Sequence, residues 1–335
     1  MASAMDGIRQ IVETAHPRTI KRLRAAGAVS PLSPIAIATA LPYLVGRGTS
    51  LGIVLQMNAI TVGKKPAIVD QHGTITWREL DSEVNRFSRA LYRAGLKGGD
   101  KVALLLRNGR EAAIAALAAQ RTGIIACPVN TWAKKKELKA VLGSIAPDLL
   151  IYDTQHVEQA GAAAPEGLPL VAVGDQANAL PDSVSWKSFT EGCSAGPLAP
   201  LTRDRGSAKI IIQTSGTTGT PKGAARDSSA AGMGALANLL GTVPYRRDDR
   251  VYIPAPLFHS FGLATFTFAT ALGATMVLPP KFDPEQSLKD IEAHLCTAAS
   301  FVPVMIRRIV SLDDDIKRKY DMSSLRIVMA SGSVL

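Results

Sequence analysis

Residues 209–223 read KIIIQTSGTTGTPKG. The apolar run from Lys209 to Gln213 predicts a strand. It leads into Thr214-Ser215-Gly216-Thr217-Thr218-Gly219-Thr220-Pro221-Lys222-Gly223. Small hydroxyl side chains there can donate to phosphate oxygens, and the glycines let the backbone bend close to a ligand. Successive backbone N–H groups can form an anion nest, and Lys222 adds a full positive charge. Together these suit a polyphosphate held while one of its phosphorus atoms is attacked. The stretch is not a P-loop, which requires Gly-Lys followed by Ser or Thr at the start of a helix. Pro221 precedes Lys222 and Gly223 follows it. The dinucleotide fingerprint G-x-G-x-x-G is also absent from the stretch.

Outward from this loop the sequence alternates predicted strands and helices. On its N-terminal side, Ala67–Val69 predicts a strand. Thr76-Trp77-Arg78-Glu79 reads as a capping box, followed by Leu80, Val84, Phe87 and Leu91 on one helix face and a stop at Gly95. Val102 to Leu106 is a continuous apolar run, which predicts a strand buried on both faces. Asn108 is placed to cap a helix over Glu111–Arg121. Strands are predicted at Ile124–Val129, Leu149–Tyr152 and Leu170–Val173, with a helix over Lys134–Leu142. Residues 156–207 are the least regular part of the chain and predict a subdomain boundary. Beyond the loop, strands are expected at Arg250–Pro254, Thr275–Leu278 and Leu325–Met329. Helices are expected between the first two, over Pro284–Leu295, and from Pro303 to Val310. The expected class is α/β, with layered, largely parallel sheets and flanking helices. Its expected organisation is a basic and apolar helical leader (1–55), a first α/β subdomain (56–200) and a second carrying the phosphate loop (201–335).

Composition narrows the classes. The chain has 335 residues, 47% hydrophobic and 20% charged, which excludes a disordered protein. Three cysteines speak against a disulfide scaffold, and with no C-x-x-C pair among Cys127, Cys193 and Cys296 and five scattered histidines a structural zinc site is not expected. The net charge of +10 suits nucleic acid, an anionic membrane or a phosphorylated ligand. Aromatic residues at 5% argue against stacking on bases, so nucleic acid is not an expected partner. Residues 1–50 hold six Lys or Arg against two acids, and Ile35–Val45 is apolar but too short to span a bilayer. This leader leaves two readings open, a packed helical layer and a peripheral contact with an anionic membrane.

TSGTTGTPKG resembles the signature of the adenylate-forming (AMP-binding) enzymes, which include the acyl-CoA synthetases. Further segments resemble the same family: Thr74 through Trp77 to Leu80, Asp100-Lys101-Val102-Ala103, Pro254-Ala255-Pro256-Leu257-Phe258-His259 to Gly262, Phe301-Val302-Pro303, and Leu325 to Ser333. Ser331 and Ser333 depart from the family's Gly and Ala, and Arg226-Asp227 stands where a Thr-His pair is common. The resemblance implies a two-step reaction. A carboxylate attacks the α-phosphate of ATP and releases pyrophosphate, and coenzyme A then takes the acyl group. It implies that Thr214, Ser215, Gly216, Thr217, Thr218, Gly219 and Lys222 hold the phosphates, with Mg2+ helping to neutralise them. It places His259, between Pro256, Phe258 and Phe261, beside the acyl carboxylate in an orienting role, and Gly332 near the adenine and the acyl pocket.

The resemblance leans towards the fatty-acyl-CoA synthetases and a long-chain acid. Loading of a carrier protein, and a non-enzymatic lipid- or nucleotide-binding module, are the alternatives. A cytoplasmic protein is expected, with peripheral contact at the inner face of the membrane and a homo-oligomer both left open. The family's magnesium-associated glutamate, ribose-binding aspartate and adenylation lysine match no position here. The expectation is therefore an N-terminal part of a longer enzyme, inactive alone.

Overall fold

The computed structural model describes residues 51–198, 209–214, 222–227 and 243–332, and of Lys209, 212–214 and 222–227 only the backbone. The leader over residues 1–50 and the loop residues Ser215 to Pro221 lie outside the described residues. In chain order the elements are α1 (Leu51–Thr61), β1 (Pro66–Asp70), β2 (Gly73–Thr76), α2 (Trp77–Arg93), β3 (Lys101–Leu105), α3 (Arg110–Thr122), β4 (Ile125–Pro128), α4 (Lys135–Ile145), β5 (Leu149–Asp153), α5 (Val157–Ala163), β6 (Leu170–Val173), β7 (Val184–Ser185) and α6 (Trp186–Thr190). They continue with β8 (Lys209–Thr214), β9 (Lys222–Asp227), β10 (Arg250–Tyr252), α7 (Ser260–Leu272), β11 (Thr275–Val277), α8 (Pro284–Ala293), β12 (Ala298–Phe301), α9 (Pro303–Val310), α10 (Asp314–Lys317) and β13 (Ile327–Ala330).

These strands form two sheets, which bears out the α/β class. One has six strands in the order β13-β12-β10-β11-β1-β2, and the other has seven in the order β7-β6-β5-β3-β4-β8-β9. Pairing is parallel except at the hairpin β1–β2 and at β8–β9. Each sheet draws strands from both sides of residue 200: β1 and β2 join β10–β13, and β8 and β9 join β3–β7.

Local chemistry explains the elements. Helix α2 starts on the predicted capping box. Thr76 Oγ1 accepts from Glu79 N–H at 3.3 Å, and Glu79 Oε2 accepts from Thr76 N–H at 2.8 Å. Past its end, Gly95 adopts φ +85°, a conformation that favours glycine. Strand β3 is buried on both faces, as its unbroken apolar run predicts. Val102 and Leu104 enter the core shared by both sheets with α2, α3 and α7, while Ala103 and Leu105 face Leu138 and Leu142 of α4 on the other side. In that shared core, Arg121 of α3 is buried and donates to Asn85 Oδ1 at 2.6 Å, Asp81 Oδ1 at 2.7 Å and the Gly52 carbonyl at 2.8 Å. It thereby ties α1, α2 and α3 together. No helix among the described residues is long and apolar enough to cross a membrane.

Candidate active site

Strand β8 ends at Thr214, where the predicted phosphate loop begins. Its antiparallel partner β9 begins at Lys222, and Thr214 pairs directly with Lys222. The two ends of the loop are thus clasped by a strand ladder. Strand β8 lies beside β4 with Ala126 level with Ile210. Thr214 and Asn130 therefore stand the same four residues beyond that register, at the carboxyl ends of neighbouring parallel strands. Ligands in open α/β sheets bind at such ends.

His259 follows strand β10 and is the N-cap residue of α7. Its backbone N–H donates to the Pro256 carbonyl at 3.0 Å, and its own carbonyl accepts from Leu263 N–H at 2.9 Å. The imidazole makes no capping bond, so it is left for other partners. It packs against Phe258 with ring centroids 4.6 Å apart and against Trp132 at 6.0 Å. Partial burial beside these rings lowers its pKa from the ordinary value, which leaves the imidazole neutral at pH 7. Trp132 arrives from the loop after β4, so His259 of one sheet meets a residue of the other.

The His259 loop is held by two residues. Asn108 is buried after β3. Its Nδ2 donates to the carbonyls of Ile253 at 3.2 Å and Ala255 at 3.0 Å, and its Oδ1 accepts from Leu257 N–H at 2.9 Å. This corrects the expected helix cap. The N-cap of α3 is Gly109, without a side-chain bond, because Asn108 spends its amide on a loop some 150 residues away in sequence. Gly262, in the first turn of α7, is the second. A Cβ there would lie 2.2 Å from the Pro256 carbonyl oxygen and 2.6 Å from that of Ala255. Only glycine lets the helix approach the loop backbone this closely.

Gly332 follows β13 with φ +110°. Strand β13 neighbours β12, which neighbours β10, so Gly332 and His259 leave the same end of one sheet, two strands apart. Trp132 and Asn108 were not singled out as site residues by sequence reasoning. A tryptophan in the polar run Asn130–Lys136 was the available signal for Trp132; nothing in the spacing signals the Asn108 contacts. A separate cavity of about 120 Å3 is lined by His72, Arg107, Glu111, Asp153 and Gly174, and neither His259 nor Gly332 is among its lining residues. Among the described residues no group of three or more His, Cys, Asp or Glu side chains gathers as a metal site.

The stretch between β8 and β9 carries the sequence that resembles the family signature, and the histidine loop follows β10 of the other, interleaved sheet. The profile of the AMP-binding enzymes matches residues 55–335, and the chain belongs to that family. It is similar to 4-coumarate-CoA ligase 1 of Narcissus pseudonarcissus, with 26% identity over 275 residues, 80% of this chain and 50% of that protein. It is also similar to the long-chain-fatty-acid–CoA ligase FadD13 of Mycobacterium tuberculosis, with 28% identity over 238 residues, 70% of this chain and 46% of that protein. The crystal structure of the anthranilate CoA ligase AuaEII superposes with a TM-score of 0.75 at 23% identity, covering 84% of this chain and 55% of that one, a likeness of fold. The chain spans about half the length of the curated relatives it matches. These relatives bear out the adenylate-forming family but are spread over several acid–CoA ligases, so they do not single out the fatty-acyl branch.

Proposed function

We propose that this chain is the N-terminal part of an AMP-forming acid–CoA ligase acting on an apolar carboxylic acid, a class that includes the long-chain fatty acids. The observation that supports this most is the clasped loop. The phosphate-type stretch hangs between Thr214 and Lys222 at the carboxyl end of β8, beside the strand whose loop reaches His259.

In the first step an acid carboxylate oxygen attacks the α-phosphorus of ATP. A new P–O bond forms, the bond to the β-phosphate oxygen breaks, and pyrophosphate leaves with its electrons. Thr214 to Gly219 and Lys222 hold the outer phosphates and offset the charge growing on pyrophosphate, which is electrostatic stabilisation of a positioned transfer. Mg2+, when bound with ATP, supplies further neutralisation of the phosphates. His259, neutral and free of capping duty, donates a ring N–H to the acid carboxylate and orients it. A carboxylate nucleophile is already ionised near neutral pH, so no base is required. In the second step the thiol of coenzyme A displaces AMP from the acyl carbon.

The test is Lys222 in the full-length protein. Lys222→Ala removes the charge and leaves the loop glycines in place; Lys222→Arg keeps charge with altered donor directions. Adenylation, read as acid-dependent pyrophosphate exchange, is expected to fall in both and further in Ala, by about 2–4 kcal/mol of transition-state stabilisation. Thiolysis of preformed acyl-adenylate should change much less, because it expels no pyrophosphate. Unchanged adenylation in the Ala variant, or equal losses in both half-reactions, contradicts the role.

A further inference from the structure

The separate cavity of about 120 Å3 lies over the carboxyl ends of β3, β5 and β6. A single water needs about 10–15 Å3, so there is room for a small organic molecule. In the register of β3 and β5, Leu105 is level with Tyr152. Just beyond that level, Arg107 on one strand and Asp153 on the other line the cavity. These neighbouring strands continue in opposite directions. Strand β3 runs through α3, in the core shared by the two sheets, to β4 on one side. Strand β5 runs through α5, in the core on the opposite face, to β6 on the other side. That is a topological switch point, where open α/β sheets bind their ligands. Gln71 and His72, in the turn between β1 and β2, close the cavity from the other sheet.

The charges in its wall are unequally matched. Arg107 Nε donates to Asp153 Oδ2 at 2.6 Å, and Asp153 Oδ1 accepts from Gln155 N–H at 3.0 Å. Both oxygens of that carboxylate are therefore engaged. The two Nη groups of Arg107 have no partner among the described residues, although its side chain is only 22% exposed. The Glu111 side chain is 19% exposed, and its nearest cationic atom, His72 Nε2, stands 3.9 Å away, beyond hydrogen-bond reach. Burial pushes the Glu111 carboxyl above its ordinary value, and its own backbone N–H and the pull of His72 and Arg110 do not offset that rise. Arg110 is itself committed to Asp70. Of the other polar groups in the wall, Asn108 spends its amide on the His259 loop, and Gln71 and His72 are exposed. What is left is a buried carboxylate short of a cation and a guanidinium edge short of an acceptor.

We infer that this cavity binds a small primary ammonium compound that carries a carbonyl or carboxylate oxygen, an amino acid or its amide. The ammonium donates to Glu111, a charge-assisted bond of the stronger kind, and the oxygen accepts from Arg107 Nη. A ligand with only one of these groups leaves the other protein group unmatched in a largely buried place, at the cost of its desolvation. Occupation of the cavity requires no activation of an acid, so the site stands apart from the function proposed above.

The experiment titrates alaninamide, alanine, propionamide and ethylamine into the full-length protein by calorimetry, without ATP or an acid to activate. Alaninamide is expected to bind about tenfold more tightly than propionamide, which lacks the ammonium, and than ethylamine, which lacks the carbonyl. Alanine separates the two sources: tighter binding than alaninamide assigns the cavity to free amino acids, and weaker binding assigns it to their amides. Glu111→Gln should weaken alaninamide about tenfold and leave propionamide unchanged. Arg107→Lys keeps the charge opposite Asp153 but loses the Nη pair. It should weaken alaninamide about tenfold and leave ethylamine unchanged. A merely structural role for either residue does not split the ligands in this way, and if one variant fails to fold, the other decides by the same comparison. No binding of alaninamide or alanine by the wild type overturns the inference. So does an alaninamide affinity that matches the two single-group compounds, or one that is equal in the wild type and a folded variant.

Discussion

Asn108 uses its whole side-chain amide on the backbone of the His259 loop. Alanine there strands two buried carbonyls and one N–H, and the loss of even one such partner costs about 1–3 kcal/mol. Asn108→Ala is therefore expected to lower the midpoint of urea unfolding with little change in slope. The same variant should raise the KM for the acid more than that for ATP, since the freed loop carries His259 and not the phosphate stretch. Equal rises in both constants, or an unchanged midpoint, would show that the loop is held by other contacts. Gly262 acts on the same loop from the opposite side. There the constraint is steric, because a Cβ would press on the backbone carbonyl oxygens of Pro256 and Ala255.

At the scale of elements, the end of β1 is joined to the start of α3 by Asp70 and Arg110. Asp70 Oδ1 accepts from Arg110 Nη2 at 2.6 Å, and Oδ2 accepts from the Arg110 backbone N–H at 2.9 Å. Its side chain is fully buried. Burial alone raises the carboxyl pKa, but the Arg110 bonds and the His72 N–H outweigh it, and the net shift is downward from 3.8. A carboxylate with a depressed folded pKa contributes stability above its unfolded value, and loses that contribution as pH falls through the folded value. Wild-type stability in urea should therefore decline as pH drops below about 4, the unfolded carboxyl value. Asp70→Asn should be less stable at pH 7 by about 1–3 kcal/mol and show a shallower decline in acid. Parallel pH profiles for the two proteins would remove the pair from the account. The pairing matters for the site because α3 directly follows the Asn108 loop.

For the molecule as a whole, the outer side of β13 pairs with no strand among the described residues. Val328 on that strand is 54% exposed, and Val304 and Val310 of α9 are also open. An unpaired apolar edge is a template for association. This chain is expected to self-associate with rising concentration, and Val328→Lys should shift sedimentation velocity towards the monomer. Identical sedimentation of the two across a hundredfold concentration range would clear the edge. The interleaving of the sheets has a second consequence at this scale. Because β1 and β2 sit beside β11, and β8 beside β4, neither half of the chain on either side of residue 200 holds a complete sheet. The His259 site is assembled from both.

What the residues determine locally is legible in their order along the chain. The Thr76–Glu79 capping box, the doubly buried run at β3 and the strand entering the phosphate stretch depend on neighbours within a few positions. Hydrogen-bond reach and side-chain periodicity act over that range. The family signature is legible for the same reason, since it lies within one short stretch of sequence. The partners of Asn108, the close approach at Gly262, the meeting of Trp132 with His259 and the exchange of strands between the sheets are decided only by tertiary structure. Asn108 reads as an ordinary helix cap until α3 takes Gly109 and the amide finds backbone groups some 150 positions onward. Trp132 reads as a stray aromatic until β4 and β10 bring their carboxyl ends together. Contacts of that kind arise from the packing of two sheets on a shared helical core, and residue spacing along the chain carries no record of which strand ends will face each other.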